Sequence, residues 1–162
     1  MTAADYQNHR LSFEGDCRAK DHKLELHDVL NRPYIHVTHE SETRRYSKSE
    51  VFGFRACDGR DYRFGKNLEY EILEARELYI YSRNVTVSQG KTHRTVREYY
   101  FSVGAQGQIQ SLTLENLKQA FPENHKFHDS LDATLAGRDV AQYDDMHKMF
   151  KVNRLLIASR ER

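Results

Sequence analysis

Aromatic and β-branched residues recur with a period of two between Val51 and Val103, and charged residues fill the positions between them. This alternation is typical of strands that bury one face of a sheet. Shorter runs of the same kind flank the stretch, at Lys23 to Asp28, Tyr34 to Thr38 and Gln108 to Leu112. The pattern therefore predicts an antiparallel sheet of about six to eight strands.

The centre of this stretch is a hairpin whose two runs meet at an Asp-Gly pair, a strong turn signal. A two-residue loop would place Phe52 and Phe54 on the opposite side of the hairpin from the rings of the second strand. A three-residue loop with Gly59 as a left-handed bulge instead places Phe54 opposite Tyr62, and Phe52 opposite Phe64. We predict the second register, because cross-strand ring pairs contribute about 0.2 to 1 kcal/mol each.

After Leu112 the period of the apolar positions changes to about 3.6, which indicates helices. The first helix is predicted to begin after Thr113 and to end before Pro122, and the second to end at Gly137. A third, capped by Asp139, has a stripe of Val140, Tyr143, Met146, Phe150 and Leu156. The predicted fold is α+β: a curved antiparallel sheet or partial β-barrel, followed by two or three C-terminal helices that cover its aromatic face.

Length and charge limit the domain organisation and the classes of function. With 162 residues the chain is predicted to be one domain, made of a loose segment 1–21, a β-sheet body 22–112 and helices 113–162. The formal net charge is only +1, which argues against a dedicated nucleic-acid domain. Interleaved Arg and aromatic residues, such as Tyr62-Arg63-Phe64, are therefore interpreted as a sheet with arginines lying over rings.

The compartment and the state of the cysteines remain open at this point. No apolar run is long enough to span a membrane, and residues 1–10 contain no signal core. The chain is then cytoplasmic, or it is an exported, periplasmic or envelope-associated protein whose leader was removed. Cys17 and Cys57 would form one bridge in an oxidising compartment and stay as two thiols in the cytosol.

Several segments together resemble a group of uncharacterised bacterial envelope or exported proteins. They are Asp61 to Phe64, Glu69 to Ile72, Leu78 to Tyr81, Arg97 to Ser102, Leu112 to Lys118 and Met146 to Val152. The likeness covers about Arg44 to Asn153 and implies a β-rich body followed by helices. It also implies export, with this chain as the mature form whose leader was removed. No activity comes with the resemblance, so no catalytic residue can be transferred.

One histidine and carboxylate cluster has the residue types of a metal site. His125, His128 and Asp132 would share one face of a helix, and His147 with Asp144 could approach from the next helix. Imidazole and carboxylate ligands suit zinc, iron or manganese. The alternative is a solvated helix face with no bound ion. His36 and His39 are expected on opposite faces of a strand, and His22, His27 and His93 at the surface.

These patterns lead to two functional hypotheses. The first is a non-enzymatic envelope or interaction domain that binds a protein partner or a small apolar ligand through the sheet and through an arm, Asn84 to Thr95. The second is a metal-dependent hydrolase that uses the cluster of His125, His128, Asp132 and His147. The sequence contains none of the common nucleophile or phosphate-binding motifs, which favours the first hypothesis.

Overall fold

The computed structural model describes residues 1–13, 15, 19, 21–27, 31–90 and 92–161. Its architecture is α+β, with antiparallel sheets and mostly C-terminal helices, as predicted. The sheets are open and do not close into a barrel. Contacts divide the chain into two compact units, Met1–Ile72 and Leu73–Arg162. The single-domain organisation stays a prediction.

Eleven strands and four helices lie in the described ranges. The strands are β1 (Lys23–Glu25), β2 (Tyr34–His39), β3 (Glu42–Ser47), β4 (Gly53–Arg55), β5 (Asp61–Gly65), β6 (Leu68–Ala75), β7 (Leu78–Gln89), β8 (Thr92–Val103), β9 (Gln110–Ser111), β10 (Tyr143–Asp144) and β11 (Met149–Phe150). The helices are α1 (Ala3–Gln7), α2 (Leu114–Ala120), α3 (His125–Leu135) and α4 (Lys151–Ala158). The sheets have the orders β1-β2-β3, β4-β5-β6-β7-β8-β9 and β10-β11.

The hairpin of β4 and β5 has the predicted register. Phe54 lies opposite Tyr62, and their rings stack with centroids 5.0 Å apart and planes 6° from parallel. Gly59 has φ +85°, as a left-handed bulge residue requires. Phe52 lies opposite Phe64, as predicted, and the Phe64 amide donates to the Phe52 carbonyl at 2.8 Å. The ring contacts differ from the predicted pair, because the Phe52 ring stacks on Tyr6 of α1 at 5.1 Å and the Phe64 ring meets Phe54 at 5.5 Å. The predicted loose start therefore contains a helix, which the Thr2 side chain caps.

A buried lysine lies beside the rings of the first unit. Lys48 is 3% exposed, and its Nζ donates to Glu69 Oε1 at 2.5 Å and to the Asn67 carbonyl at 3.1 Å. The same ammonium lies 5.4 Å from the centroid of the Phe64 ring. The buried ammonium of Lys48 is therefore stabilised by a carboxylate, a carbonyl oxygen and a ring face, which replace its contacts with water.

The second unit has its own apolar core between its strands and helices. Leu78, Ile80 and Phe101 are its fully buried strand residues. Their buried neighbours are Leu112, Leu117, Phe127, Leu131, Leu135, Phe150, Val152, Leu155 and Leu156. Within this unit, the helices cover strand residues of β7 and β8, and cover of the β4-β5 hairpin rings by the helices stays a prediction. The helices bury the run at the start of β7, which is apolar on both faces, as expected for an interior strand.

The predicted third helix is wrong over its first half. Residues 139–150 form turns and the β10-β11 hairpin, and only Lys151–Ala158 is helical. Asp139 Oδ1 accepts from the Ala141 amide, and Asp144 Oδ1 accepts from the Met146 and His147 amides. Aspartate side chains that bind the backbone in this way favour turns over a helix. Met146 is 87% exposed, so the apparent stripe is not a buried face.

A buried asparagine joins α4 to the start of β7. Asn153 Oδ1 accepts from the Leu78 amide at 3.0 Å, and Asn153 Nδ2 donates to the Leu78 carbonyl at 2.8 Å. Nδ2 also donates to Glu74 Oε1 at 2.5 Å, and the second Glu74 oxygen accepts from the Phe150 amide at 2.9 Å. Every polar atom of this fully buried side chain is therefore satisfied.

Candidate functional site

The metal ligands that the sequence predicts on α3 are only partly brought together. The rings of His125 and His128 meet edge to face with centroids 5.9 Å apart. His128 Nε2 lies 2.9 Å from the Phe121 carbonyl, a distance at which it donates a hydrogen bond. That nitrogen then has a proton, so it cannot offer a lone pair to an ion in this arrangement.

The other two predicted ligands have other partners. Both oxygens of Asp132 accept from Lys118 Nζ at 2.7 Å. His147 lies in the β10-β11 turn instead of on a helix, and its Nδ1 is 3.0 Å from Asp144 Oδ2. The hydrogen bond with His147 lowers the pKa of Asp144. Among the described residues, no three of the predicted ligands offer atoms within 4.8 Å of one another.

A different set of ligand types comes together on the sheet of β1, β2 and β3. His27 Nε2 lies 2.7 Å from His36 Nδ1 and 4.0 Å from Glu25 Oε2. Within the described ranges, this is the group of three whose ligand atoms all lie within 4.8 Å of one another. We call it the histidine cluster. The expectation that His27 is an ordinary surface residue missed this contact.

The register of the sheet explains most of the histidine cluster. Glu25 in β1 is the cross-strand partner of His36 in β2, so both side chains stand on one face of the sheet. His27 follows β1 with φ +56°, a left-handed conformation that is uncommon for a residue with a side chain. Lys23 Nζ donates to Glu25 Oε1 at 2.6 Å, and this hydrogen bond lowers the pKa of Glu25.

A second histidine pair lies on the same sheet. His22 Nδ1 and His39 Nδ1 are 3.2 Å apart, and their rings meet edge to face. His36 and His39 thus have different histidine partners, as expected if their side chains leave β2 on opposite faces. Only the pair of His27 and His36 belongs to a three-residue group.

The long hairpin of β7 and β8 contains the arm, Asn84 to Thr95. Its strands stay in register from Leu78 opposite Val103 to Gln89 opposite Thr92. Residues 83–97 contain four basic residues and no acidic one. Most side chains of the arm are exposed, with half-buried valines between them. The arm is therefore a regular two-stranded ribbon that contains two of these basic residues, Lys91 and Arg94, while the other two, Arg83 and Arg97, flank it.

One edge of the arm has backbone groups that face outwards. Strand β9 pairs with Tyr100 and Phe101, and the Leu112 amide donates to the Tyr99 carbonyl at 2.9 Å. In an antiparallel strand every second residue points its N–H and C=O to the same side. Thr95 and His93 therefore point theirs to the edge that Tyr99 uses, where no strand of the described part of the chain pairs with them.

Several arginines near the aromatic residues lie over ring faces. Arg45 lies 5.2 Å from the centroid of Tyr34, and Arg63 lies 5.5 Å from that of Phe52. This agrees with the interpretation of the interleaved pattern as arginines covering rings in a sheet.

Cys57, next to the turn of the β4-β5 hairpin, is disulfide-bonded. The sequence contains one other cysteine, Cys17, which lies outside the described residues. The bonded state of Cys57 agrees with the alternative in which the chain has a bridge, and the predicted partner lies outside the described residues. Disulfides persist mainly in oxidising compartments.

The comparisons with known proteins give no relative from which a function could be transferred. The resemblance to bacterial envelope proteins accordingly stays a prediction. None of the helices in the described ranges is long or apolar enough to span a lipid bilayer. No protein-family model, curated protein or solved structure matches the chain.

Proposed function

We propose that the protein is a non-enzymatic, extracytoplasmic binding domain that captures an acidic, extended segment of a partner protein along the arm. The observation that carries the proposal is the outward-facing edge of β8 in a segment, residues 83–97, with four basic residues and no acidic one. Such an edge can accept an added strand, whose main-chain hydrogen bonds supply affinity. The disulfide at Cys57 supports an oxidising compartment.

Charge selects the kind of partner. If two copies of the chain paired edge to edge, Arg94 and the other cations of residues 83–97 in one copy would lie beside the same cations of the second copy. This repulsion disfavours association. An acidic strand would instead place carboxylates beside those cations. Nucleic acid is also anionic, but the net charge of +1 for the whole chain argues against it.

The test uses an edge-blocking substitution. Thr95→Pro removes one outward N–H, and proline is tolerated in strands where the N–H faces solvent. The probe is a fluorescein-labelled eight-residue peptide of alternating Glu and Val, followed by fluorescence anisotropy. We expect saturable binding that weakens at least about tenfold in Thr95→Pro, whereas Thr95→Val, which keeps the N–H, binds as wild type.

A second variant removes the arm. Arg83 and Glu98 are cross-strand partners, so an Asn-Gly turn between them would close a shorter hairpin in the same register. This variant should lose binding, and an alternating Lys and Val peptide should not bind any variant. Three results would refute the proposal. The acidic peptide could bind the shortened protein as well as wild type, or it could fail to bind wild type. The third is tighter binding of an eight-nucleotide single-stranded DNA than of the acidic peptide.

A further inference from the structure

We propose that Glu25, His27 and His36 form a binding site for a divalent transition-metal ion of the zinc and copper type. The site lies in the first unit and is independent of the arm. Two imidazole nitrogens and one carboxylate oxygen converge there within 4.8 Å of one another. This N₂O set is the kind that zinc and copper prefer, because imidazole and carboxylate are ligands of borderline hardness.

The two imidazoles face each other through nitrogens that a divalent ion can bridge in place of a hydrogen bond. At 2.7 Å between His27 Nε2 and His36 Nδ1, one nitrogen must donate a proton to the lone pair of the other. The carboxylate oxygen of Glu25 lies 4.0 Å from the same His27 nitrogen, beyond hydrogen-bonding distance. A divalent ion that replaced the shared proton would use both lone pairs and the carboxylate charge together.

The atoms are close to the spacing that such an ion needs. A tetrahedral zinc ion with bonds of about 2.0 to 2.1 Å holds two nitrogens about 3.3 Å apart. The two imidazole nitrogens would separate by roughly 0.6 Å, and the Glu25 oxygen would approach by about 0.7 Å. The side chains of His27 and Glu25 are 31% and 42% exposed, so small rotations can make these shifts.

The surroundings orient the ligands and leave a position for water. The Tyr34 ring packs edge to face against both imidazoles, with centroids 5.5 Å from His27 and 5.4 Å from His36. Lys23 holds Glu25 Oε1, which leaves Oε2 towards the histidines. Neighbours of this kind commonly fix the orientation of metal ligands. With three protein ligands, a tetrahedral ion would complete its coordination with a solvent molecule.

Neighbouring cations oppose the ion, and besides Lys23 they include Arg45. Arg45 is the cross-strand partner of His36, and its guanidinium lies over the Tyr34 ring. A cation at this place disfavours a second cation through Coulomb repulsion. Arg45→Gln is therefore expected to tighten metal binding, whereas a loss of fold would weaken it.

The experiment is a zinc titration of protein purified without a histidine tag and treated with a chelator. Competition with a chromophoric chelator gives the stoichiometry and the affinity, and Co²⁺ in place of zinc gives visible absorption bands that report the coordination. We expect one equivalent of zinc, with an affinity at least about tenfold weaker in Glu25→Gln, His27→Gln and His36→Gln, since each removes one ligand. At the same zinc concentration, the thermal midpoint of wild type should rise more than that of these variants.

Two matched controls decide the result. His93→Gln removes an exposed histidine of the arm that bonds to Ser88 and should bind zinc as wild type does. His128→Gln removes a member of the cluster that the sequence predicts and should also leave binding unchanged. The proposal is overturned if wild type binds no stoichiometric zinc, if His36→Gln binds equally well, or if His128→Gln is the variant that loses the ion.

Discussion

Replacing Asn153 with alanine tests the connection between α4 and the start of β7. The substitution removes two buried hydrogen bonds to the Leu78 backbone and the part-buried bond to Glu74. Leaving a buried backbone donor or acceptor unsatisfied costs about 1 to 3 kcal/mol. Because two backbone groups and one carboxylate lose a partner, we expect a loss of about 3 to 5 kcal/mol in the free energy of unfolding.

The assay is urea unfolding followed by circular dichroism, together with hydrogen exchange of the Leu78 amide, which donates to Asn153 Oδ1. The matched control is Asn84→Ala, an exposed asparagine whose loss should change stability by less than about 0.5 kcal/mol. A loss below about 1 kcal/mol in Asn153→Ala, with unchanged protection of the Leu78 amide, would refute this reasoning.

Three further predictions concern other parts of the molecule. The first is measured by mass spectrometry after treatment with maleimide. Unreduced protein should take up no maleimide, and reduced, unfolded protein should take up two equivalents, because Cys57 is bridged and the chain has two cysteines. Lys48→Met should reduce the free energy of urea unfolding by about 1 to 3 kcal/mol, since Glu69 loses its buried partner; no change would contradict this. The pKa of Asp144 is lowered from 3.8, so its contribution to stability is present above that pH and is lost as the pH falls through the lowered value. Carboxyl NMR should give a midpoint below 3.8, and Asp144→Asn should lose less stability than wild type on acidification from about pH 5; a normal midpoint would argue against the contact with His147.

Local sequence signals predicted the elements whose stabilising contacts are also local. The Phe54–Tyr62 ring pair and Gly59 both support the hairpin register, and both belong to the same short segment. Thr113 caps α2 through the Asn116 amide, and α3 ends shortly before Gly137, which has φ +70°. In each case the residue that sets the boundary lies within a few positions of it.

The third helix shows where periodicity alone fails. Val140, Tyr143 and Met146 have helical spacing, but Asp139 and Asp144 bind nearby amides and stabilise turns instead. Spacing cannot report on whether a stripe is buried. Tyr143 and Met146 are both exposed, so they do not form the buried face whose packing would favour a helix.

The histidine cluster depends on contacts that the sequence leaves unspecified. Its assembly requires Glu25 to pair with His36 across two strands, and it requires His27 to adopt a left-handed backbone. Sequence spacing fixes neither strand register nor a positive φ at a histidine. The available signal was the alternation of Leu24, Glu25 and Leu26, which places Glu25 opposite to its apolar neighbours.

The partners of the Glu74 to Leu78 segment have a consequence for synthesis of the chain. Asn153 bonds Leu78 across 75 positions, Phe150 bonds Glu74 across 76, and Arg160 pairs with Glu77 across 83. A ribosome therefore makes the first strand of this unit long before the residues that complete its hydrogen bonds. Until then, apolar β7 stays open to unwanted association, so nascent chains stopped before residue 150 should require chaperones.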